Sequence, residues 1–163
     1  MAAMLDYVWE ESPVGRLLIA ADDEGLRFVL FAAGRSRVEP GSGWREDGTR
    51  LADAVRQFRE YFAGRRREFS LRLAPEGTPF QKRVWAELLT IPYGQTISYG
   101  ELARRVSCPG GSRAVGLANG ANPLSIVVPC HRVIGSDGRM TGYGGGLNNK
   151  GWLLGLERGQ LPL

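Results

Sequence analysis

Between residues 4 and 32 the apolar positions come in three short runs, MLDYVWE, GRLLIAA and GLRFVLF, separated by the turn signals SPVG and DDEG. That pattern predicts a strand meander. The polar stretch GRSRVEPGSGWREDG follows and is expected to be an exposed loop. The spacing then changes: Leu51, Ala54, Val55, Phe58 and Phe62 recur at helical intervals, with Gly64 as the stop. REFSLRL alternates like a further strand, and APEGT at 74–78 reads as a linker. Residues 1–74 are therefore expected to form a small α+β domain of mixed strands and helix, with no catalytic constellation of its own.

Residues 75–163 are expected to form a second, mainly helical domain. Thr78, Pro79 and Gln81 make a capping box with proline at the first helical position. Phe80, Val84, Trp85, Leu88 and Leu89 then define one buried face, and IPYG ends that helix. Ser98 and Glu101 suggest a second capping box, opening a short helix with Leu102, Ala103 and Val106 inward. SCPGG breaks it, and SRAVGLANGAN continues as another short helix that stops at Asn122-Pro123. Helix, short turn, helix is the outline of a helix-turn-helix unit. As a bare pattern it is weak, because many helical hairpins bind nothing.

The last of these helices is built from small residues: Ala114, Gly116, Ala118 and Gly120. A glycine inside a helix costs about 1 kcal/mol relative to alanine. Close approach to another body is one reason to accept that cost, and packing against a neighbouring helix is the plainer one. Arg113 in the first turn opposes the helix dipole, which suits a partner better than helix stability. Charge points the same way. Residues 1–76 carry 12 basic and 13 acidic side chains, while residues 77–163 carry 9 and 4. The second half is the candidate for meeting a polyanion. No apolar run approaches a membrane span, and MAAMLDYVWEES lacks the apolar core of a signal peptide. A cytoplasmic location with reduced thiols and no membrane partner is expected, which argues against a Cys108–Cys130 disulfide.

The candidate chemistry sits in IVVPCHRVI, where Cys130 precedes the chain's one histidine, His131. A metal site needs three or four ligands, and two cysteines with one histidine do not supply them. A buried structural cysteine is the serious alternative to a reactive one. Against it stand the proline before Cys130, the adjacent imidazole and the polar Arg132 where a core strand would stay apolar. Consecutive side chains on a flat strand point to opposite faces, so a thiol–imidazole contact needs a bend or a bridging water. An orienting carboxylate would come from Glu87, Glu101, Asp137 or Glu157. On these grounds alone the nucleophile and the core residue stand level.

Three segments, FQKRVWAELLTIPYGQTISYGELA, SRAVGLANGANP and IVVPCHRVIGSDGRMTGYGGGLNNKGWLLGLE, resemble the O6-alkylguanine-DNA alkyltransferases, also called methylated-DNA–protein-cysteine methyltransferases. The resemblance covers residues 79–157 in order and spacing, and extends to the first half only in outline. It implies a DNA-repair protein that flips O6-alkylguanine out of duplex DNA and transfers the alkyl group, once and irreversibly, to its own Cys130. His131 would be the base, acting through a water, and Glu157 would orient it. Asn122 would brace the active-site turn. Tyr99 would donate to the guanine ring and crowd the flanking phosphate. Arg113 would fill the gap left by the flipped base, with Ser112, Ala114 and Gly116 beside it against DNA. Tyr143 and Gly144 would shape the pocket, and the carbonyls of Cys130 and Val133 would read the exocyclic amine. No cofactor is implied. The zinc ligands that some relatives carry in the N-terminal domain are missing here, so no metal is expected. The partner implied is double-stranded DNA, met by a monomer, with cooperative assembly on DNA left open.

Small side chains on a groove-facing helix and an arginine ready to replace a base fit minor-groove binding and base flipping. Two other functions compete. A non-catalytic helix-turn-helix regulator would not need Cys130, His131 and Glu157 in this spacing. A cysteine hydrolase would turn over.

Overall fold

The computed structural model describes residues 4–33, 39–138, 143 and 146–160. The three predicted strands are present. β1 (Asp6–Glu10), β2 (Leu17–Asp22) and β3 (Gly25–Phe31) form an antiparallel meander with β2 between its neighbours. Leu17, Leu18, Ile19 and Ala20 are all fully buried. Alternate residues face opposite sides of a strand, so both faces of β2 are covered, which explains its unbroken apolar run. At Gly25 a side chain is impossible: a Cβ there would fall 2.6 Å from the Arg72 carbonyl oxygen.

Two expectations change in this region. The stretch read as loop contains a short strand, β4 (Arg45–Glu46), parallel to β1. Trp44 anchors it by stacking on Phe28, and Arg45 bonds Asp6 at 3.0 Å. Residues 34–38 of the same stretch lie outside the described residues. REFSLRL, in contrast, is not a strand. The Gln57 side-chain amide occupies both backbone groups of Ser70, donating to its carbonyl at 3.0 Å and accepting from its N–H at 2.8 Å. A peptide satisfied in this way has no need of a strand neighbour, and only Leu73 makes an isolated bridge, to Leu26.

Helix α1 (Ala52–Phe62) buries Ala54, Phe58 and Tyr61, while Val55 and Phe62 are only partly covered. Helix α2 (Pro79–Leu88) opens on a complete capping box, Gln81 N–H to Thr78 Oγ1 at 3.1 Å and Thr78 N–H to Gln81 Oε1 at 3.0 Å. Val84, Trp85 and Leu88 are buried as expected. Leu89 is not. It caps the helix where the chain turns away and is half exposed.

The strand β5 (Ile97–Ser98) leads into α3 (Tyr99–Arg105), and α4 (Ser112–Gly120) follows after a turn. Ser98 accepts from the Glu101 N–H at 3.0 Å. The reciprocal half of that box is missing, because the Glu101 carboxylate is taken by Arg104 at 2.6 Å and Arg105 at 3.2 Å. The Trp85 indole donates to the Ala118 carbonyl at 2.8 Å and ties α2 to α4.

One hydrophobic core joins residues from along the whole chain, among them Phe31, Phe58, Leu88, Val115, Val133 and Leu153. The segment 122–128 runs along the free edge of β3, with Val29 N–H to Pro123 O at 2.8 Å and Ser125 N–H to Val29 O at 3.1 Å. A short strand β6 (Val133–Ile134) pairs in parallel with β5, and α5 (Leu147–Glu157) closes the fold. Among the described residues no helix is long and apolar enough to cross a membrane.

Candidate active site

The run around Cys130 is not a flat strand. It is a chain of tight turns instead. Ile126 is buried with φ 74°, a region that β-branched residues rarely enter. Val127 N–H bonds Ser125 O at 2.9 Å, and Cys130 N–H bonds Val128 O at 2.8 Å. Asn122 holds these turns from both ends: its Nδ2 donates to Val128 O at 2.8 Å and its Oδ1 accepts from Leu124 N–H at 2.9 Å. Cys130–Arg132 is then a turn of 3-10 helix. Successive side chains in such a turn diverge by about 120° rather than pointing to opposite faces, which removes the geometric objection to a thiol and imidazole working together.

His131 and Glu157 are buried side by side, with Nε2 2.8 Å from Oε2. Glu157 also accepts from Arg132, Nε to Oε1 at 2.7 Å and Nη2 to Oε2 at 2.9 Å, and from the Tyr61 hydroxyl at 2.6 Å. Burial works against charge on this carboxyl. The hydrogen bonds from His131 and Arg132 outweigh it and hold the group well below the usual carboxylate range. An ionised carboxylate only accepts hydrogen bonds, so His131 must carry its proton on Nε2. Nδ1 is left as the basic nitrogen, and it is buried with no hydrogen bond to protein among the described residues. Burial also lowers the imidazole's pKa, against the pull of Glu157. The resting ring is therefore neutral, with Nδ1 unprotonated.

Cys130 is a free thiol, as is Cys108. Burial pushes the Cys130 thiol up, with Asn122, the Lys150 ammonium and Tyr143 acting in the opposite direction. Lys150 itself is buried, and its Nζ donates to the Val133 carbonyl at 2.6 Å. The resting state is thus a protonated thiol, with the Lys150 cation placed to favour a charged sulfur. Among the described residues no three metal-ligating side chains cluster.

Of the residues singled out from sequence, Cys130, His131, Asn122 and Glu157 are all buried around this turn. The β5–β6 pairing, Ile97 opposite Val133 and Ser98 opposite Ile134, sets Tyr99 beside it at the start of α3. The Tyr99 ring lies along Gly116, whose added Cβ would stand 3.8 Å from it. Tyr143 is buried edge-on to Phe31, ring centroids 5.6 Å apart, and its hydroxyl makes no hydrogen bond among the described residues. Gly144 lies outside the described residues. The Cys130 carbonyl already accepts from Asn119 Nδ2 at 3.3 Å, and that of Val133 from Lys150. The Cys130 oxygen also accepts the Val133 N–H that closes the 3-10 turn, so a further donor would share an oxygen already bonded twice, while Val133 keeps the second lone pair of its carbonyl beside Lys150. Ser112, Arg113 and Ala114 stand apart from the buried cluster, exposed on the first turn of α4.

Several readings need correction. Ala118 belongs to the core, and the outer face of α4 carries Leu117, 72% exposed, between its small residues. Of the cations in the second half, Arg132 and Lys150 are buried at the site and do not face solvent. Arg132 is polar where a core strand would stay apolar, yet it is buried: its fork is neutralised by Glu157 and its Nη1 holds the Ile91 carbonyl at 2.8 Å. The first half also contributes to the site, through Tyr61. One signal for Lys150 was available: it is one of 2 lysines in a chain with 21 basic residues, and a compact ammonium does what a forked guanidinium cannot.

Fold and site together define an α+β protein in which a buried free cysteine, followed in sequence by a histidine bonded to a buried glutamate, lies beside a helix-turn-helix. The family model described as "6-O-methylguanine DNA methyltransferase, DNA binding domain" matches residues 79–159, and "6-O-methylguanine DNA methyltransferase, ribonuclease-like domain" matches residues 6–75. A methylated-DNA–protein-cysteine methyltransferase of Methanosarcina acetivorans is 51% identical over 151 residues, covering 93% of this chain and 97% of the relative. One of Mycolicibacterium paratuberculosis is 51% identical over 162 residues, covering 98% and 96%. The crystal structure of Mycobacterium tuberculosis OGT in complex with DNA superposes with a TM-score of 0.89 at 49% identity, covering 96% of this chain and 95% of that one. The chain belongs to the 6-O-methylguanine DNA methyltransferase family.

Proposed function

We propose that this protein repairs duplex DNA carrying O6-alkylguanine by moving the alkyl group to its own Cys130. The observation that carries the proposal is the buried His131–Glu157 pair, 2.8 Å apart, which fixes a basic Nδ1 next to the cysteine in sequence. His131 takes the thiol proton, directly or through a water. The Cys130 sulfur forms a bond to the alkyl carbon, the bond from that carbon to O6 breaks, and the electron pair leaves with the guanine. Tyr99 and Tyr143 supply hydroxyl donors toward the charge that develops on the base. The carbonyls of Cys130 and Val133 accept from its exocyclic amine, and Gly144 completes the pocket. Asn122 and Asn119 hold the turn in place.

The target atom lies inside a stacked base pair, so the nucleotide must be extruded. Arg113 is exposed at the start of α4 and makes no side-chain hydrogen bond or ion pair among the described residues, which supports its role as the residue that fills the vacated stack. Ser112, Ala114 and Gly116 let the helix approach the minor groove. Residues 75–163 act as the DNA-binding and transferring unit, with residues 1–74 packed behind it. A monomer working in the cytoplasm, without metal or cofactor, accompanies this reading.

The product is a thioether with no easy leaving group, so each molecule acts once. Intact-protein mass spectrometry after exposure to duplex DNA with O6-methylguanine tests the proposal. The expected result is the gain of one methyl in place of one hydrogen on the peptide holding Cys130, with repair stopping at one equivalent. Continued turnover, or the added mass on Cys108, would overturn it.

A further inference from the structure

The Tyr61 hydroxyl comes from α1, 96 positions before Glu157, and bonds its Oε2 at 2.6 Å. The same oxygen accepts from His131 at 2.8 Å and from Arg132 Nη2 at 2.9 Å. Three donors therefore share one oxygen, while among the described residues Oε1 takes only Arg132 Nε. Tyr61 is fully buried, and its ring is wedged among Phe62, Phe69 and Tyr93 at centroid distances of 5.3, 5.3 and 6.3 Å. A buried tyrosine hydroxyl needs some acceptor, and a backbone carbonyl would serve. This one is held by rigid packing on a carboxylate that Arg132 already grips with two nitrogens.

We infer that Tyr61 is a positioning residue of the base relay, tuning through Glu157 the histidine that serves Cys130. The inference rests on the alkyl-transfer reading above. A hydrogen bond donated to Oε2 withdraws charge from the atom that holds His131, and so weakens the stabilisation of the imidazolium form. His131 is also faced by Arg132 and by Lys150 of α5, both of which oppose its protonation, as burial does. On the far side Glu157 is faced by Tyr93, over whose ring Arg67 and Arg132 lie at 5.3 and 5.8 Å. The thiol end is flanked by Lys150 and Tyr143. Within this set Tyr61 is the donor on Oε2 that stays uncharged whether or not His131 is protonated, and it keeps the carboxylate from drawing a proton onto the imidazole too early.

Removing the hydroxyl returns charge to Oε2. His131 then protonates at higher pH and is lost as a base over a wider acid range. The test compares wild type with Tyr61→Phe, which keeps the ring. Single-turnover alkyl transfer from O6-methylguanine duplex would be followed across the range in which histidine titrates. In parallel, NMR would follow the imidazole of His131, unambiguous as the chain's one histidine. We expect the acid limb of the rate and the His131 titration to move upward together, by about half a pH unit or more. A Phe62→Leu control loosens the same aromatic cluster without touching Glu157, and should lower the thermal midpoint with the pH profile in place. Superimposable profiles for wild type and Tyr61→Phe, with loss only of thermal stability, would reduce Tyr61 to a packing residue and overturn the inference. A downward shift would do the same. Absence of transfer by the wild type would instead overturn the alkyl-transfer reading, and the histidine titration would still decide on Tyr61.

Discussion

Arg132 and Glu157 form a forked ion pair away from solvent, Nε on Oε1 at 2.7 Å and Nη2 on Oε2 at 2.9 Å. Removing one partner of such a pair strands the other charge, at a cost of about 3–5 kcal/mol. Arg132→Met should show that loss in denaturant unfolding. Arg132→Lys should not restore it, since an ammonium cannot span both oxygens and the Ile91 carbonyl. Equal stability of wild type and Arg132→Met would mean that His131 and Tyr61 suffice to hold Glu157.

Glu157→Gln should be less stable near neutral pH and should lose less stability on acidification. The Glu157 carboxyl is held below its ordinary value of 4.5 by His131 and Arg132, against burial. A carboxyl depressed in the folded state stabilises above its unfolded pKa, and that contribution fades as pH falls toward the folded one. A glutamine has no such contribution to lose. The amide can also donate to Nε2 as readily as it accepts, so it no longer fixes the tautomer, and transfer near neutral pH should slow. Thermal midpoints and single-turnover rates against pH check both effects. Matching curves would leave Glu157 a structural helix residue.

The sequence made Cys130, His131, Asn122 and Glu157 legible because the PCHR, GANP and LLGLE stretches keep a family's order. It left Tyr61 and Arg132 hidden for physical reasons. Tyr61 sits one residue before Phe62, which fits the helical spacing equally well, and only packing decides which ring turns inward. Arg132 looked exposed because burial of a guanidinium depends on an acid 25 positions away. Local pattern likewise gave the three strands and the Thr78 box, whose determinants are neighbours in sequence. It failed at REFSLRL, where Gln57 takes the Ser70 backbone from 13 positions away, and at β4, where Trp44 finds Phe28.

Arg113→Ala should slow repair of duplex DNA far more than reaction with free O6-alkylguanine. Arg113 is exposed on α4, away from the thiol cluster, and its proposed work is to hold the extruded nucleotide, which the free base does not require. Rates on the two substrates separate the cases. Equal losses on both would mean that Arg113 acts in chemistry or folding.

Leu117→Asp should weaken duplex binding by about tenfold or more while leaving the thermal midpoint within about 1–2 °C, because this side chain is 72% exposed on the outer face of α4. A carboxylate there would meet phosphates and lose an apolar contact in the groove. Binding would be titrated by fluorescence anisotropy over several salt concentrations, with affinity falling as salt rises. Unchanged affinity would move the DNA-facing surface away from Leu117.

Tyr61, the adjacent Cys130 and His131, and Glu157 come from three distant stretches of the chain, and the acid lies in α5, 26 positions beyond the imidazole it bonds. Until α5 docks, His131 has no fixed tautomer and Cys130 is an ordinary thiol among ordinary thiols. On the single-use reading proposed above, this ties selective transfer to completion of the fold. An unfinished copy exposes its cysteine as any unfolded chain does, whereas the finished fold buries the thiol and holds its pKa up, so only a partner that enters the site meets it.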